Sequence, residues 1–462
     1  MPNLLFARQS AGTPEDAEFS NERLVNLYVR AFPDAGLAPA LIKQTDGLVS
    51  FADLGTDQPV RAAIVSGSLV YAISGGKLFS VSSAGSVVEL DDTLTDALNT
   101  SVFDNDNGEI GIAAGGVYSV WDIAGGTMST PSMNALTGPQ HVAYLDGYGI
   151  LADTATDRFQ TTDASDATTL NALSFSSADY LNDGIVSLIA YQSYLWILGE
   201  RTTEIWRNTG ASATFPFQRV SGGILQRGCF GAKTVAADDQ SVFYVGDDRS
   251  VYRILESSPT RISTHAVERR LRNYQDGSEL TGFTWTEDGH KFYALRFPDA
   301  PAYVYDMSTG VWHERSSDVF GEAAWTAYTA IRAFGYELIG SSDGMLYRLD
   351  PTAYDEAGTA ICRIAESSPV SEGDMRTNLD RVSINVKTGY VDIGREPQIA
   401  LQVSRDGKLY TPEKFRGMSD LGDYSRVLSW HGMGRARRHQ AKFKTTDPVP
   451  ISIYGATYAL SP

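Results

Sequence analysis

The residues whose types could do chemistry are few and do not cluster along the chain. None of the histidines has the HxH or HExxH spacing that lets two imidazoles bind one zinc ion. The sequence also lacks the GxxxxGK[ST] loop and the GxGxxG turn that bind phosphates. We therefore expect no catalytic residues, no cofactor and no metal. The six histidines are His141, His265, His290, His313, His431 and His439.

Two acidic motifs are similar to known loops. Residues 104–109 have the D-x-D-x-G opening of a calcium loop, but its twelfth position is Gly115, where a bidentate Glu is required. A hairpin turn explains the same residues. Residues 404–410 are similar to the Asp-box of sialidase propellers, S-x-D-x-G-x-x-W, although the motif is one residue short, ends in Tyr and occurs once.

A basic stretch stands out near the C-terminus, where residues 434–444 read GRARRHQAKFK. Strand alternation predicts Arg437, His439, Ala441 and Phe443 on one face. The stretch is either a solvated strand edge protected by charge or a seam that docks onto an acidic neighbour, including a second copy of the chain. DNA contact is a third interpretation. The candidate seam residues are Arg435, Arg437, Arg438, Lys442 and Lys444.

The formal net charge is −18, and it is unevenly distributed. Residues 376–462 carry 14 Lys and Arg against 8 Asp and Glu, a net of about +6, so the first 375 residues carry about −24. An acidic surface repels phosphates, which argues against ordinary DNA binding. It is compatible with a channel through which DNA slides without adhering.

The composition predicts β-structure. Hydrophobic residues make up 42% of the 462 residues, enough for a large core, and the chain is rich in Gly, Tyr and Phe. Cys229 and Cys362 are too few for a disulfide framework, so we expect small buried side chains in a chain that folds in a reducing cytosol. We find no charged-then-apolar leader and no run of 18 apolar residues, which predicts no membrane span.

A degenerate unit of an apolar strand, a tight turn and aromatic-rich strands recurs along the chain. Most of its steps match a four-stranded propeller blade, and the short step marks an abbreviated or misaligned copy. We predict an all-β fold with a β-propeller of about seven blades, with six to eight open. Stacked β-sandwiches are the alternative, but they do not require this period. The steps are 47, 30, 46, 47, 48 and 48 residues when the units are aligned at Val65, Ile112, Val142, Leu188, Val235, Phe283 and Ile331.

The two ends of the chain fall outside the period. The first 50 residues are extended and interrupted by Pro and Gly, whereas the last 85 or so alternate apolar and polar positions over five strands of an antiparallel unit. The sequence therefore predicts four parts. They are an N-terminal segment at 1–50, the propeller at 51–365, a linker at 366–377 and a C-terminal β domain at 378–462.

Several stretches of the chain are similar to the motifs of a known family. Asn21–Tyr28 (NERLVNLY) and Thr45–Leu48 (TDGL) are similar to its R-x-x-N-x-Y and T-P-G-L patterns, although Asp46 replaces the Pro. Residues 242–268 form the most specific block. The closing S-x-D-G-G, G-R-A-R-x-R and D-P-V motifs have counterparts at 404–407, without the second Gly, and at 434–437 and 447–450. With these motifs, the chain resembles the tail-hub, or packaged-DNA-stabilisation, proteins of short-tailed bacteriophages.

The resemblance implies a structural virion protein of the tail, made in the host cytoplasm, and not an enzyme. Six copies would form a homohexameric ring beneath a dodecameric head-to-tail adaptor. The ring would close the portal channel after packaging, anchor tail fibres or spikes and conduct DNA at ejection without sequence-specific binding. The resemblance also implies that residues 1–50 and 376–462 together form a platform that faces the adaptor.

A carbohydrate-active or glycan-binding propeller is the alternative function. A depolymerase requires an acid pair and an arginine cluster near the propeller axis. A receptor binder would expose aromatic side chains such as Tyr191, Tyr194 and Trp196. In a scaffold, the same aromatic residues are expected between blades.

Overall fold

The computed structural model describes most of the chain. Within the described residues, strands alternate with tight turns, and the helical segments are a 3-10 turn at Ala232–Thr234 and the helix α1 at His265–Arg272. The all-β fold predicted from composition is confirmed. The described residues are 22–31, 40–154, 156–181, 183–210, 215–255, 258–373, 375–387, 389, 393–418, 421–424 and 426–462.

In the described part of the N-terminal segment, four strands precede the first blade. Asn21, at the start of the N-terminal motif, lies outside the described residues. The fourth strand belongs to the propeller, so the boundary drawn at residue 50 falls inside it. The strands are β1 (Arg23–Val25), β2 (Leu27–Ala31), β3 (Ala40–Gln44) and β4 (Gly47–Asp53).

Seven four-stranded antiparallel blades follow among the described residues, as the period predicted. Blade one is β5 (Val60–Ser66), β6 (Leu69–Ser74), β7 (Lys77–Val81) and β8 (Val87–Asp91). Blade two is β9 (Ser101–Asp104), β10 (Glu109–Ala114), β11 (Val117–Asp122) and β12 (Thr127–Ser129). Blade three is β13 (Pro139–Leu145), β14 (Tyr148–Asp153), β15 (Arg158–Thr161) and β16 (Phe175–Ser177).

The remaining four blades repeat the arrangement. Blade four is β17 (Ile185–Tyr191), β18 (Tyr194–Gly199), β19 (Thr203–Asn208) and β20 (Phe217–Leu225). Blade five is β21 (Ala236–Asp238), β22 (Ser241–Val245), β23 (Val251–Leu255) and β24 (Ser258–Arg261). Blade six is β25 (Thr281–Glu287), β26 (His290–Arg296), β27 (Ala302–Asp306) and β28 (Trp312–Arg315). Blade seven is β29 (Ala327–Ala333), β30 (Tyr336–Ser341), β31 (Met345–Asp350) and β4.

The N-terminal strand β4 completes the ring. It pairs antiparallel with β31, so the outer strand of blade seven comes from the other end of the propeller sequence. The first strand of every blade contacts the first strands of both neighbours, from β5 through β9 and onward to β29 and back to β5. These first strands therefore line the axis, and the closed ring leaves only short sheet edges.

Turns and aromatic contacts explain why the repeat forms blades. Asp146 and Gly147 have φ values of 52° and 91°, the left-handed conformation that a two-residue hairpin turn requires. Between blades five and six, the rings of Phe243 and Tyr293 stack with centroids 5.1 Å apart. Such pairs add about 1 kcal/mol beyond the apolar area that they bury.

One alignment position was wrong. Ile112 lies on β10, the second strand of blade two, whereas the other aligned residues lie on first strands or just before them. The true first strand, β9, has only four residues (SVFD) and weak apolar alternation. The short step thus reflects misalignment rather than a missing strand.

The C-terminal strands form a sandwich. One sheet has the order β2-β3-β39-β33-β36, with β37 also paired to β33, and the other contains β1-β32-β38-β34-β35. Leu24, Ile384, Trp430 and Phe443 are among the side chains buried between them, so the N-terminal segment completes the domain. The strands are β32 (Arg363–Glu366), β33 (Thr377–Val386), β34 (Gln398–Ser404), β35 (Lys414–Gly417), β36 (Val427–His431), β37 (Arg435–Ala436), β38 (Gln440–Thr445) and β39 (Ser452–Ser461).

The propeller and the sandwich share one sheet. β1 pairs parallel with β28 of blade six and antiparallel with β32, which gives a nine-stranded sheet from β25 to β35. Backbone hydrogen bonds therefore run from the axis of the propeller to the far edge of the sandwich.

Candidate functional site

Three of the histidines lie inside the propeller. Burial lowers the pKa of His141 and of His313 to about 3, so both imidazoles are neutral. His290 Nδ1 lies 2.8 Å from Asp306 Oδ2 within blade six. Among the described residues, no group of three or more His, Cys, Asp or Glu side chains could hold a metal ion.

The letters of a nucleophile elbow, G-x-S-x-G, occur at residues 340–344 (GSSDG). An elbow joins a strand to a helix and exposes its serine at a strained turn. Here the segment joins the adjacent strands β30 and β31. The serine of the motif is Ser342, whose N–H donates to Thr326 O at 2.9 Å. The neighbouring Ser341 Oγ donates to the Asp343 carboxylate and accepts the Met345 N–H, so the polar groups stabilise a hairpin.

Residues 104–109 form the hairpin between β9 and β10. Asn105 Oδ1 accepts hydrogen bonds from the N–H groups of Asn107 and Glu109 at 2.9 and 3.0 Å. Glu109 Oε2 accepts from Asn105 Nδ2 and from the Ala167 N–H at 2.6 and 2.8 Å. The residues that are similar to a calcium loop therefore form a hairpin turn, as the sequence predicted.

A buried acid pair lies where the N-terminal segment meets blade six. The backbone N–H of Asp46 donates to Glu287 Oε1 at 2.6 Å, and Trp285 and Arg315 donate to Glu287 Oε2 at 3.3 and 3.2 Å. Burial and the Glu287 carboxylate raise the pKa of Asp46 to about 7. Since groups of the same chain occupy both oxygens of Glu287, the arrangement suits a structural junction better than an acid–base site.

The N-terminal motif binds the same junction together. Arg23 forms two hydrogen bonds with the Glu314 carboxylate, each 2.8 Å long. Asn26 is fully buried at φ 54°, and its Nδ2 donates to Ser316 O at 2.9 Å and to Cys362 O at 2.8 Å. Arg23 and Asn26 of the R-x-x-N motif therefore connect blade six to the segment that leads into β32 of the sandwich.

Two sequence motifs meet in one cleft on the sandwich. Residues 404–407 follow β34, residues 437–440 lead into β38, and both segments line a cavity of about 370 Å³. Asp406 Oδ1 accepts the N–H groups of Lys408 and Leu409 at 2.9 and 2.8 Å. The residues that are similar to an Asp-box thus form a turn capped by Asp406. The basic stretch lies beside this turn.

Arginines give this basic cleft its charge. Arg405, Arg437 and Arg438 all line it, and Arg405 Nη2 donates to Met433 O at 3.1 Å. Gly434 lies at φ 92°, and a Cβ at that position would lie 2.3 Å from Arg405 Nη2. The backbone conformation therefore favours glycine at this position of GRAR, and a larger residue would also have to displace the Arg405 guanidinium.

The structure divides the five candidate seam residues into two groups. Arg435, Arg437 and Arg438 are exposed, on β37 and in the turn that follows it. Lys442 and Lys444 lie on β38, which is a central strand between β32 and β34 rather than a strand edge.

The two lysines have partners within the chain. Lys442 Nζ is 3.0 Å from Glu366 Oε1, and Lys444 Nζ is 3.7 Å from Glu413 Oε1. The five residues therefore do not form one strip.

The predicted alternation holds only within β38. Ala441 and Phe443 are buried in the sandwich core, with Lys442 and Lys444 on the opposite face. Arg437 was predicted to share the face of Ala441, and this was wrong because β38 begins only at Gln440. Arg437 lies in the preceding turn, where its side chain is exposed.

Of the three aromatic residues considered for glycan binding, two pack between blades and one is exposed. Trp196 is buried with Tyr244 and Tyr252 between blades four and five, and Tyr191 packs against the same cluster. Tyr194 is 38% exposed at the β17–β18 turn. A single exposed tyrosine does not make a stacking platform for a sugar chain.

A propeller joined by a continuous sheet to a sandwich, with its polar motifs used in turns and junctions, defines a structural scaffold protein. Two family models match the chain. They are "Bacteriophage P22 Gp10, beta-propeller" over residues 9–354 and "Bacteriophage P22 Gp10, beta-sandwich" over residues 367–460. The chain belongs to the bacteriophage P22 Gp10 family. Membership supports a structural tail protein of a short-tailed phage, which is consistent with the expectation of a non-enzyme.

No curated protein matches the chain. Solved structures are similar to parts of it. The computationally designed protein Ika8 is 13% identical, with a TM-score of 0.41 over 71% of this chain and 99% of its own. The WD40 β-propeller domain of Doa1 is 11% identical, with a TM-score of 0.43 over 66% and 97%. The extracellular domain of BT4673 from B. thetaiotaomicron is 10% identical, with a TM-score of 0.47 over 77% and 42%.

In the described part of the chain, no helix has the length and apolarity that a membrane span requires.

Proposed function

We propose that this chain is the ring-forming nozzle subunit of the tail. Six copies assemble beneath a dodecameric head-to-tail adaptor, close the portal channel after packaging, conduct DNA at ejection and anchor fibres or spikes. The subunit is made in the host cytoplasm. Family membership and the resemblance of the sequence motifs support the copy number and the partners.

The distribution of exposed charge carries the proposal. Arg435, Arg437 and Arg438 are exposed at the basic cleft, in a terminal region with a net charge of about +6, while the first 375 residues carry about −24. Opposite charges on two ends of one subunit favour contacts between subunits and disfavour wrong orientations. The acidic propeller would also keep passing DNA from adhering.

Exposed apolar side chains on the sandwich support a partner surface in the same domain. Phe415 on the edge strand β35 is 51% exposed, and Val427 on the edge strand β36 is 58% exposed. Leu421 and Tyr424, in the segment between these strands, are 61% and 59% exposed. Large apolar groups gathered at one end of a domain are typical of interaction sites.

Charge reversal at the cleft tests the proposal. We expect the double variant Arg437→Glu/Arg438→Glu to remain folded and to lose ring assembly, because both side chains are exposed while the core beneath them is unchanged. Sedimentation velocity of the full chain measures assembly, and thermal unfolding checks the fold.

Arg201→Glu/Arg207→Glu is the matched control, since it makes the same change of charge at exposed positions of the propeller. It should assemble like the unmodified chain. Persistent ring assembly in the Arg437/Arg438 variant would place the seam elsewhere.

A further inference from the structure

A cluster of cationic side chains lies at one mouth of the propeller axis. Lys233, on the 3-10 turn before blade five, donates from Nζ to Thr100 O at 2.7 Å and lies 3.5 Å from Arg61 O. Thr100 immediately precedes blade two, and Arg61 lies at the start of blade one. Blades two and five are three positions apart in the seven-bladed ring, so the lysine side chain reaches across the axis.

Two arginines approach the same tyrosine beside this lysine. Arg61 Nη1 donates to Tyr328 Oη at 2.9 Å, and its Cζ lies 5.4 Å from the centroid of the Tyr328 ring. Arg296 comes from the end of β26, and its Cζ lies 4.9 Å from the same centroid. Blades one, two, five, six and seven therefore all contribute to one site.

The positive charges at this mouth exceed the negative ones. Arg61 pairs with Asp96 at 2.8 Å. No carboxylate within ion-pair distance of Lys233 or Arg296 is found in the described part of the chain. Arg296 is only 8% exposed, and its Nε is buried without a hydrogen-bond partner.

A buried cation without a carboxylate partner is unfavourable. Burial, with the charge of Arg61, lowers the pKa of Lys233 to about 8 and also lowers the pKa of Arg296. Lys233 uses two of its three donors on the carbonyls of Thr100 and Arg61, whereas no hydrogen bond from the Arg296 guanidinium is found in the described part of the chain. Lys233 and Arg296 each lie close enough to Arg61 for its charge to lower their pKa values. Cationic donors gathered around one arginine match a tetrahedral oxyanion, which accepts several charge-assisted hydrogen bonds.

We propose that this axial cluster is a binding site for a phosphate-class oxyanion, held by Lys233 and Arg296 and positioned by Arg61 and Tyr328. The site is separate from the basic cleft and does not depend on the proposed assembly role. A bound anion would tie together blades from both sides of the ring at the axis.

Inorganic phosphate is the probe that tests the site. Thermal unfolding of the full chain is followed against phosphate concentration, with chloride at equal ionic strength as the reference. We expect a saturable rise in melting temperature with phosphate, since a ligand that binds only the folded state stabilises it. Isothermal titration should show an affinity at least tenfold weaker in Lys233→Met and in Arg296→Met.

Lys77→Met is the matched control, because Lys77 is an exposed lysine of blade one that pairs with Glu89. It should bind phosphate like the unmodified chain, and so should Arg437→Glu/Arg438→Glu, which separates this site from the assembly seam. If Lys233→Met does not fold, Arg296→Met decides the question. Equal responses to phosphate and chloride, or undiminished binding by the Arg296 variant, would overturn the proposal.

Discussion

Cations are buried in two regions: the junction between the propeller and the sandwich, and the axial mouth of the propeller. The two regions differ in whether a carboxylate pairs with the cation. At the junction, the side chains of Arg315 and Glu287 are 0% and 1% exposed and lie 3.2 Å apart. At the mouth, Lys233 and Arg296 have no carboxylate partner among the described residues. Removing one partner of a buried ion pair destabilises the fold, because the other charge is left unpaired. A buried cation without a carboxylate partner instead retains donors for a ligand. The contrast separates the residues that build the scaffold from those that remain available for binding.

Removal of the buried guanidinium at the junction should give the largest effect. Arg315→Met leaves Glu287 charged and unpaired in the interior, and we expect a loss of about 4 kcal/mol in the free energy of unfolding. Denaturant titration of the full chain measures it. Arg332→Met is the control, because Arg332 is 75% exposed and lies 3.9 Å from Glu337. Similar losses in the two variants would contradict the distinction.

Asn26 tests the hydrogen bonds of the junction apart from its charges. Asn26→Ala leaves the carbonyl oxygens of Ser316 and Cys362 without their donor and strains a residue at φ 54°, so we expect a loss of about 3 kcal/mol. Gln192→Ala is the control: it also places an alanine at a positive φ, 52°, but in an exposed turn, so its effect measures the backbone strain alone. If Gln192→Ala lowered the free energy of unfolding as much as Asn26→Ala, the hydrogen bonds of Asn26 would contribute little.

Asp46 makes the stability of the junction depend on pH. Its pKa is raised to about 7 by burial and by Glu287, with Asp288 adding to the rise and Lys43 and Arg315 opposing it. The unfolded chain loses this proton first as pH rises above about 4, so the folded state loses stability until the pH passes about 7.

We therefore expect Asp46→Asn to match the unmodified chain near pH 4 and to exceed its free energy of unfolding by about 2 kcal/mol at pH 5.5. Denaturant titrations at several pH values measure the difference. The exposed Asp92→Asn should follow the unmodified chain throughout. A constant difference between the Asp46 variant and the unmodified chain would show that its carboxyl group does not titrate in this range.

The smallest expected effect has the opposite sign from the first two. In chloride buffer without phosphate, Arg296→Met should raise the free energy of unfolding by about 1 kcal/mol, because it removes a buried cation that lies near Arg61 and has no carboxylate partner among the described residues. Thermal unfolding at low ionic strength measures the change. A loss comparable with that of Arg315→Met would indicate that Arg296 is part of the scaffold.

The sequence predicted the blades because their information is local. Asp146–Gly147 specifies a hairpin, and the recurrence of such units specifies a ring. The strand that closes this ring could not be predicted, since nothing within β4 (GLVSFAD) indicates that its partner is β31 at the other end of the propeller. Long-range pairing depends on complementary edges that one strand does not reveal.

The candidate sites show the same limit. Alternation along β38 correctly places Lys442 and Lys444 opposite the core, but their partners Glu366 and Glu413 come from other strands. The axial cluster was not predicted, because Lys233 becomes notable only when the ring places it across the axis without a carboxylate. Absence of a partner is a property of the folded chain.

Electron microscopy of the purified full chain tests the assembly account most directly. The account predicts a six-fold ring with a central opening, in which the turn that carries Arg437 and Arg438 lies at a contact between subunits. Particles that remain single propeller–sandwich units at high protein concentration, or rings whose contacts exclude that turn, would contradict it.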